Sequence, residues 1–321
     1  MIINEEYLAS KALSQSKLKR ILMHPQMFLN SNYGDADEPK ETTLIGDAVD
    51  LILTQDESAF DEAFYITDVE KPGSMMGTFT WELFVHRNLE NPIQIAYEKS
   101  GFKIDIGKVC ESYLKEGKEY YDALIEAGDR STISTVQKAK IDNIVETLRS
   151  HPFTSSWIQG EYGIEVYKQV VVEFEYLGEM CKGLLDLVVV DRETDTLYPI
   201  DIKTTASSTG AWMSIFWKFR YDIQAAFYTY GVLNGGLKEK LNVTNVHPFR
   251  FIVVNQEFPG TPLIYEMSEE ILHLGQHGGI HNNREYKGFH QAIEQYKWHT
   301  KMDMWEYPME DYINSGVRKI K

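Results

Sequence analysis

The chain has 321 residues, 43% of them hydrophobic and 25% charged, with a formal net charge of −16. That length holds one large domain or two small ones, and the composition is that of a globular protein able to bury a sizeable core. No apolar run approaches the about 20 residues that span a bilayer, and no apolar signal segment stands near Met1, so a cytoplasmic protein without membrane association is expected. Two cysteines, Cys110 and Cys181, exclude a disulfide framework, an all-cysteine zinc site and a four-cysteine iron–sulfur cluster within one chain. The acidity repels polyanions at long range, so any nucleic-acid contact has to come from a locally basic groove.

The segment "LSQSKLKRILMHPQMFL" predicts a helix with Ser16 as N-cap, Leu18, Ile21 and Leu22 on its apolar face, and Pro25 as the break. Asn32–Glu41 is polar and rich in turn formers, hence a loop. Thr42–Gln55 carries Leu44, Ala48, Leu51 and Ile52 at helical spacing. Residues 103–150 are mostly helical in pattern, with Ile141, Ile144, Val145 and Leu148 as a stripe, Ser134 as a cap and Pro152 beyond the end. Residues 163–178 are β-branched and aromatic, with a turn at Leu177-Gly178-Glu179. Strands Lys182–Val190 and Leu197–Lys203 follow, separated by the polar "DRETDT". A long helix over residues 208–234, stopped by Gly235-Gly236, a strand Phe249–Gln256 and a helical region Ser268–His299 complete the pattern. With no linker, residues 1–321 are expected to form one composite domain: a helical part (1–155), an α/β core (156–260) and a helical C-terminal part (261–321).

Two of these strands contain charge. Asp186 interrupts an otherwise apolar core strand, and Asp201 and Lys203 sit two apart on the next, facing the same way. If the strands pair as a hairpin, Asp186 joins them. Two carboxylates and an ammonium at one point suit Mg²⁺, a hard cation that takes one or two carboxylates and keeps several waters, together with a reacting phosphate. The structural alternative is an ion pair, Asp201–Lys203 or Asp186–Lys203, which burial makes a poor stabiliser.

The order of features adds specificity. "GLLD" is followed after fourteen residues by "DIKTT" and then by "YDIQAAFYTYG". This succession resembles the PD-(D/E)XK nuclease superfamily, its RecB-like branch, and within it the RecE (exonuclease VIII) type of phage recombination exonuclease. The matching positions are Gly183 and Asp186, then Asp201, Lys203 and Thr204, then Gln224 and Tyr228. "LSQSKLKRILMHPQMF" and "LIGDAVDLILTQDESAF" are similar to the family's N-terminal helical motifs, so the likeness covers most of residues 12–235. It implies an α/β (α+β) restriction-endonuclease-like core, a mixed central sheet flanked by helices with a helical N-terminal portion. It also implies a Mg²⁺-dependent deoxyribonuclease, with Mn²⁺ able to substitute, while the count of two cysteines excludes the superfamily's iron–sulfur-cluster nucleases.

The implied metal ligands are Asp186, Asp201, the Ile202 carbonyl and Asp50, which stands where the family commonly has histidine; Asp47 is the alternative one turn earlier. Glu165 is a further metal candidate, in competition with Glu173 and Glu175, and Lys203, Gln224 and Tyr228 complete the catalytic set. Lys182, Lys218, Arg220, Lys17 and Arg20, with Lys19 and Lys203, are the basic residues expected to line a DNA channel. The same resemblance implies 5′→3′ degradation of linear duplex ends, a RecT-like single-strand annealing partner and a homo-oligomer. The rival expectation is a catalytically weak nuclease-fold module that binds DNA and docks such a recombinase. "HLGQHGGIH" places His273, His277 and His281 at spacings that hold zinc only if further ligands converge, and surface histidines are the simpler expectation.

Overall fold

The computed structural model describes residues 7, 9–30 and 41–318; the loop expected over Asn32–Glu41 falls, but for its last residue, outside them. Two compact units emerge, residues 57–142 and the chain on either side of them.

In the larger unit, α1 (Gln15–Met23) is capped by Ser14, not Ser16; the Ser14 hydroxyl accepts the Lys17 N–H at 3.4 Å. The reason is tertiary. Leu13 exchanges backbone hydrogen bonds with Met180 and Lys182, which fixes the chain as extended up to that residue. Pro25 opens α2 (Pro25–Leu29) at its first position, where a missing N–H costs nothing. α3 (Glu41–Thr54) follows the apolar spacing read from the sequence.

The smaller unit holds α4 (Glu57–Ala63), β1 (Phe64–Ile66), α5 (Ser74–Val85), α6 (Pro92–Ser100), α7 (Ile106–Glu116), α8 (Lys118–Ala127), β2 (Ser131–Ile133) and the start of α9 (Thr135–Ser150). β1 and β2 pair in parallel, and strands of three residues are too short to show a period of two. The cap expected at Ser134 is reciprocal: its hydroxyl accepts the Gln137 N–H, and the Gln137 side chain accepts the Ser134 N–H.

After α10 (Ser155–Gln159) come the long strands β3 (Ile164–Tyr176), β4 (Glu179–Asp191) and β5 (Thr196–Thr205). The β3–β4 hairpin turns through Leu177 and Gly178, both at positive φ, the two-residue turn whose twist matches its strands. β5 then crosses over through α11 (Met213–Lys218), α12 (Tyr221–Asn234) and α13 (Leu237–Leu241) to the short β6 (Asn245–Val246) and to β7 (Arg250–Asn255), and β8 (Leu263–Glu266) closes the edge. The sheet order is β3-β4-β5-β7-β8, antiparallel except for the parallel β5–β7 pair, with β6 also parallel beside the start of β5. This mixed sheet flanked by helices is the expected fold class.

Two long helices of the sequence reading are broken. Residues 208–234 divide into a 3₁₀ turn, α11 and α12, because Arg220 adopts φ +53°, held by its guanidinium on both Asp222 carboxylate oxygens (2.9 and 2.8 Å) and on the Lys287 carbonyl (2.6 Å). The C-terminal region contains α14 (Glu269–His277), a hairpin of β9 (Gly279–His281) and β10 (Arg284–Tyr286), α15 (Phe289–Met302) and α16 (Met309–Ile313). Asn282 and Asn283 turn that hairpin at positive φ.

α12 is the centre of the larger unit's core: Ile223, Ala225, Ala226, Phe227 and Tyr228 pack in one cluster with Val172, Phe174, Leu185, Phe251 and Val253 of the sheet. No described helix is long and apolar enough to cross a membrane.

Candidate active site

Alternation on β5 turns Asp201 and Lys203 to the side on which α12 lies. Asp201 is 2% exposed; its Oδ1 accepts a hydrogen bond from Gln224 Nε2 of α12, and its Oδ2 meets the Lys203 ammonium as an ion pair without a well-angled hydrogen bond. The β4–β5 ladder runs from Asp191–Thr196 to Leu187–Ile200 and stops there. Beyond it the Asp186 side chain supplies the missing acceptor, taking the Ile202 N–H at 2.9 Å on Oδ2. The hairpin condition is therefore met, and Asp186 stands beside Asp201 and Lys203.

β3 and β4 are creased at the same level. Their ladder omits only the Gln169–Asp186 rung, and Gln169 has φ +51°. Residues packed in the α12-side cluster change parity across the crease, from Val170, Val172 and Phe174 to Tyr167 on β3, and from Leu185 to Val188 and Val190 on β4. Gln169 Nε2 donates to Thr54 Oγ1 at 2.8 Å, and that hydroxyl donates to the Asp50 carbonyl at 2.7 Å. The strand opposite Asp186 is thus tied to the helix that carries Asp50. Gly46 lets α3 come close to β5, since a Cβ there would stand 2.9 Å from Thr204 Oγ1.

Asp47, Asp50, Asp186 and Lys203 line one cavity of about 470 Å³, with Phe219 and Tyr221 on its wall. Asp50 Oδ1 is buried and has no hydrogen-bond partner. Burial, then the charges of Asp201 and Asp47, push the Asp50 carboxyl up to about 7 against the pull of Lys203. Asp186 is also raised, by burial first and then by Asp201 and Asp50. Burial alone would lower Lys203, yet Asp201 and Asp186 outweigh it, so the lysine stays protonated. Four carboxylates around one ammonium leave an excess of negative charge that a hard divalent cation relieves.

Among the described residues no three Asp, Glu, His or Cys side chains close on a single point as a finished metal cage. The oxygen donors nevertheless fit a cation that keeps much of its water: an orphaned Asp50 oxygen and two neighbouring aspartates. Tyr228 is buried one turn after Gln224, raised by burial and then by Asp201 and Asp186. Gly183 makes room for its ring, because a Cβ there would lie 2.9 Å from Tyr228 Cε1.

Other expected site residues lie elsewhere. Glu165 pairs with Val190 in the ladder, four residues from Asp186, or roughly 13 Å along a strand. It is held by Arg192 (2.6 Å) and Tyr167 (2.7 Å), which pull its carboxyl down to about 2. Glu173 and Glu175 point to solvent. Lys182 is buried with its ammonium on the Tyr7 and Ser10 carbonyls, and Arg220 is spent on Asp222 and Lys287; neither is available to DNA as expected. Lys218 is exposed, and Lys17 and Arg20 are half-buried on α1 outside the cavity lining. His273, His277 and His290 group their rings, while His281 stacks on Trp217. Gln169 and Tyr221 escaped the sequence reading; only the spacing of Tyr221, three before Gln224 on α12, signalled either.

A family model described as a "PDDEXK-like domain of unknown function (DUF3799)" matches residues 14–295. Among solved structures the chain is similar to one from Eubacterium rectale named "Putative exonuclease", with 14% identity, 100% of this chain and 95% of that one covered, and a TM-score of 0.50. A weaker likeness is to SSO0001 (17% identity, 51% and 66% covered, TM-score 0.26). Another is to VC1899 from Vibrio cholerae (14%, 68% and 48%, TM-score 0.20). Nothing matches among curated proteins. The family match spans the whole sheet and the cavity beside it, and the chain belongs to the PDDEXK-like domain family DUF3799.

Proposed function

We propose that this protein is a divalent-metal-dependent deoxyribonuclease that hydrolyses phosphodiester bonds. The observation that carries the reading is the convergence of Asp50, Asp186 and Lys203 on one cavity, with Asp201 ion-paired to that lysine. Asp50, Asp186 and Asp201, with the Ile202 carbonyl, would hold the cation, Mg²⁺ with Mn²⁺ as substitute. When bound, such an ion acidifies a water and neutralises charge on the phosphate.

The remaining work falls to the chain. Lys203, kept protonated by Asp201 and Asp186, donates to a non-bridging phosphate oxygen and holds the attacking water in line. Gln224 fixes the Asp201 carboxylate through Oδ1, leaving Oδ2 to pair with the Lys203 ammonium. Tyr228 packs under Gly183 and excludes water from behind the carboxylates. The motif order favours a RecE-type exonuclease acting 5′→3′ on linear duplex ends in phage-type recombination, with a RecT-like annealing partner and a homo-oligomeric assembly.

Incubation of the purified protein with linear duplex DNA and Mg²⁺ or Mn²⁺ tests the reading. Nucleotides are released only with metal, and Lys203→Ala lowers the rate at least about a hundredfold while the far-ultraviolet circular dichroism is unchanged. Release unaffected by that substitution would place the chemistry elsewhere. Absence of any metal-dependent release would favour a non-catalytic DNA-binding module.

A further inference from the structure

Lys19 projects from α1 to the wall of this cavity. Its Nζ donates to the Phe219 carbonyl at 3.3 Å and lies 5.6 Å from the centre of the Tyr221 ring. Lys203 Nζ lies 5.4 Å from the centre of the same ring, and Phe219 and Tyr221 both line the cavity. Two ammonium groups thus share one aromatic ring. One of them, Lys203, has a carboxylate partner in Asp201; Lys19 has no ion pair among the described residues. Burial and then the charge of Lys203 draw its pKa down to about 8, against the opposing pull of Asp201 and Asp222.

A half-buried cation beside another cation is unfavourable unless an anion joins it. The anion is indicated by what surrounds the ammonium. The residue whose carbonyl holds Lys19, Phe219, keeps half of its side chain exposed, 50%, which offers a face for a nucleobase. A phosphate contact and a stacking face side by side match a nucleotide. A carboxylate ligand would use the first and leave the second idle.

We infer that Lys19 is a substrate-binding residue of this centre, its ammonium taking a non-bridging oxygen of the phosphodiester next to the one reached by Lys203, both ammonium groups standing beside the Tyr221 ring. The inference rests on the nuclease reading above. It gives α1 a direct part in selecting which phosphate of the strand sits in the cavity.

The test is binding of a labelled DNA duplex, followed by fluorescence anisotropy with Ca²⁺ in place of Mg²⁺ over a series of KCl concentrations, alongside cleavage rates in Mg²⁺. Lys19→Met should weaken binding about tenfold and flatten the slope of log affinity against log salt by about 0.9, the loss of one phosphate contact. Lys19→Arg should restore most of both, and the exposed Lys301→Met, which removes the same charge, should alter neither. Equal affinity and slope for Lys19→Met and the unaltered protein would overturn the role of Lys19 while leaving the nuclease reading intact. An unaltered protein that neither binds nor cleaves DNA would overturn both.

Discussion

Asp50 concentrates the conflict in this centre: a half-buried carboxylate with one buried, orphaned oxygen, surrounded by others of its kind. Its carboxyl is raised from the ordinary 3.8 to about 7, so between those values the folded chain binds more protons than the unfolded one. Stability from this group is therefore full at acid pH and is lost as pH rises through about 7, and Asp186 acts in the same direction. In metal-free protein, Asp50→Asn is expected to raise the melting temperature at pH 8 by a few degrees and to shrink the fall between pH 5 and pH 8. The same substitution should weaken Mg²⁺ binding by calorimetry. An unchanged pH profile would mean that Asp50 is not buried among acids as described.

Among the elements, the crease in β3 and β4 matters most, because it sets Asp186 free of its ladder rung and ties β3 to α3. Gln169 pays for this with a left-handed backbone, which costs a non-glycine residue about 1–2 kcal/mol. Gln169→Ala keeps that strain and loses the hydrogen bond to Thr54, so a loss of about 1 kcal/mol is expected in urea unfolding. Gln169→Gly relieves the strain and should be close to neutral. Both variants sever β3 from the helix bearing Asp50, so both should bind Mg²⁺ more weakly; equal stability losses for the two would show that the strain is not real. The sequence announced neither the crease nor the break at Arg220. Each is a positive-φ residue without a glycine, and each is stabilised by a partner more than 60 positions away, Thr54 for Gln169 and Lys287 for Arg220.

At the scale of the molecule, the site rests on an aromatic floor. Trp212 is fully buried and its ring meets Phe216, Tyr221, Phe251 and Tyr265, so the wall of the cavity and the sheet share one support. Trp212→Ala should cost about 3–5 kcal/mol, read by denaturant unfolding. Trp212→Phe should cost clearly less, because the indole N–H is buried without a hydrogen-bond partner and its removal forfeits none. Equal losses would indicate that packing of the whole indole, not the filled volume, supports the site. The charge of the chain also looks different in three dimensions. Against a net −16, Lys182 and Arg220 are committed to internal partners, which leaves a sparser basic lining than the seven residues expected from sequence.

The amino-acid sequence by itself determined the succession of the four longest core strands along the chain, the positions of Asp186, Asp201 and Lys203 within them, and the helical segments carrying Asp50 and Gln224. Charge at fixed spacing inside apolar, β-branched runs is local information, and a period of two or of 3.6 converts it into faces without knowledge of the rest of the chain. Only the tertiary structure decided which charges meet. It sent Glu165 to Arg192, Lys182 to the backbone of Tyr7 and Ser10, and Lys19 to the wall shared with Lys203. Those outcomes depend on desolvation and on partners far apart in sequence, quantities that exist only once the helices are laid against the sheet.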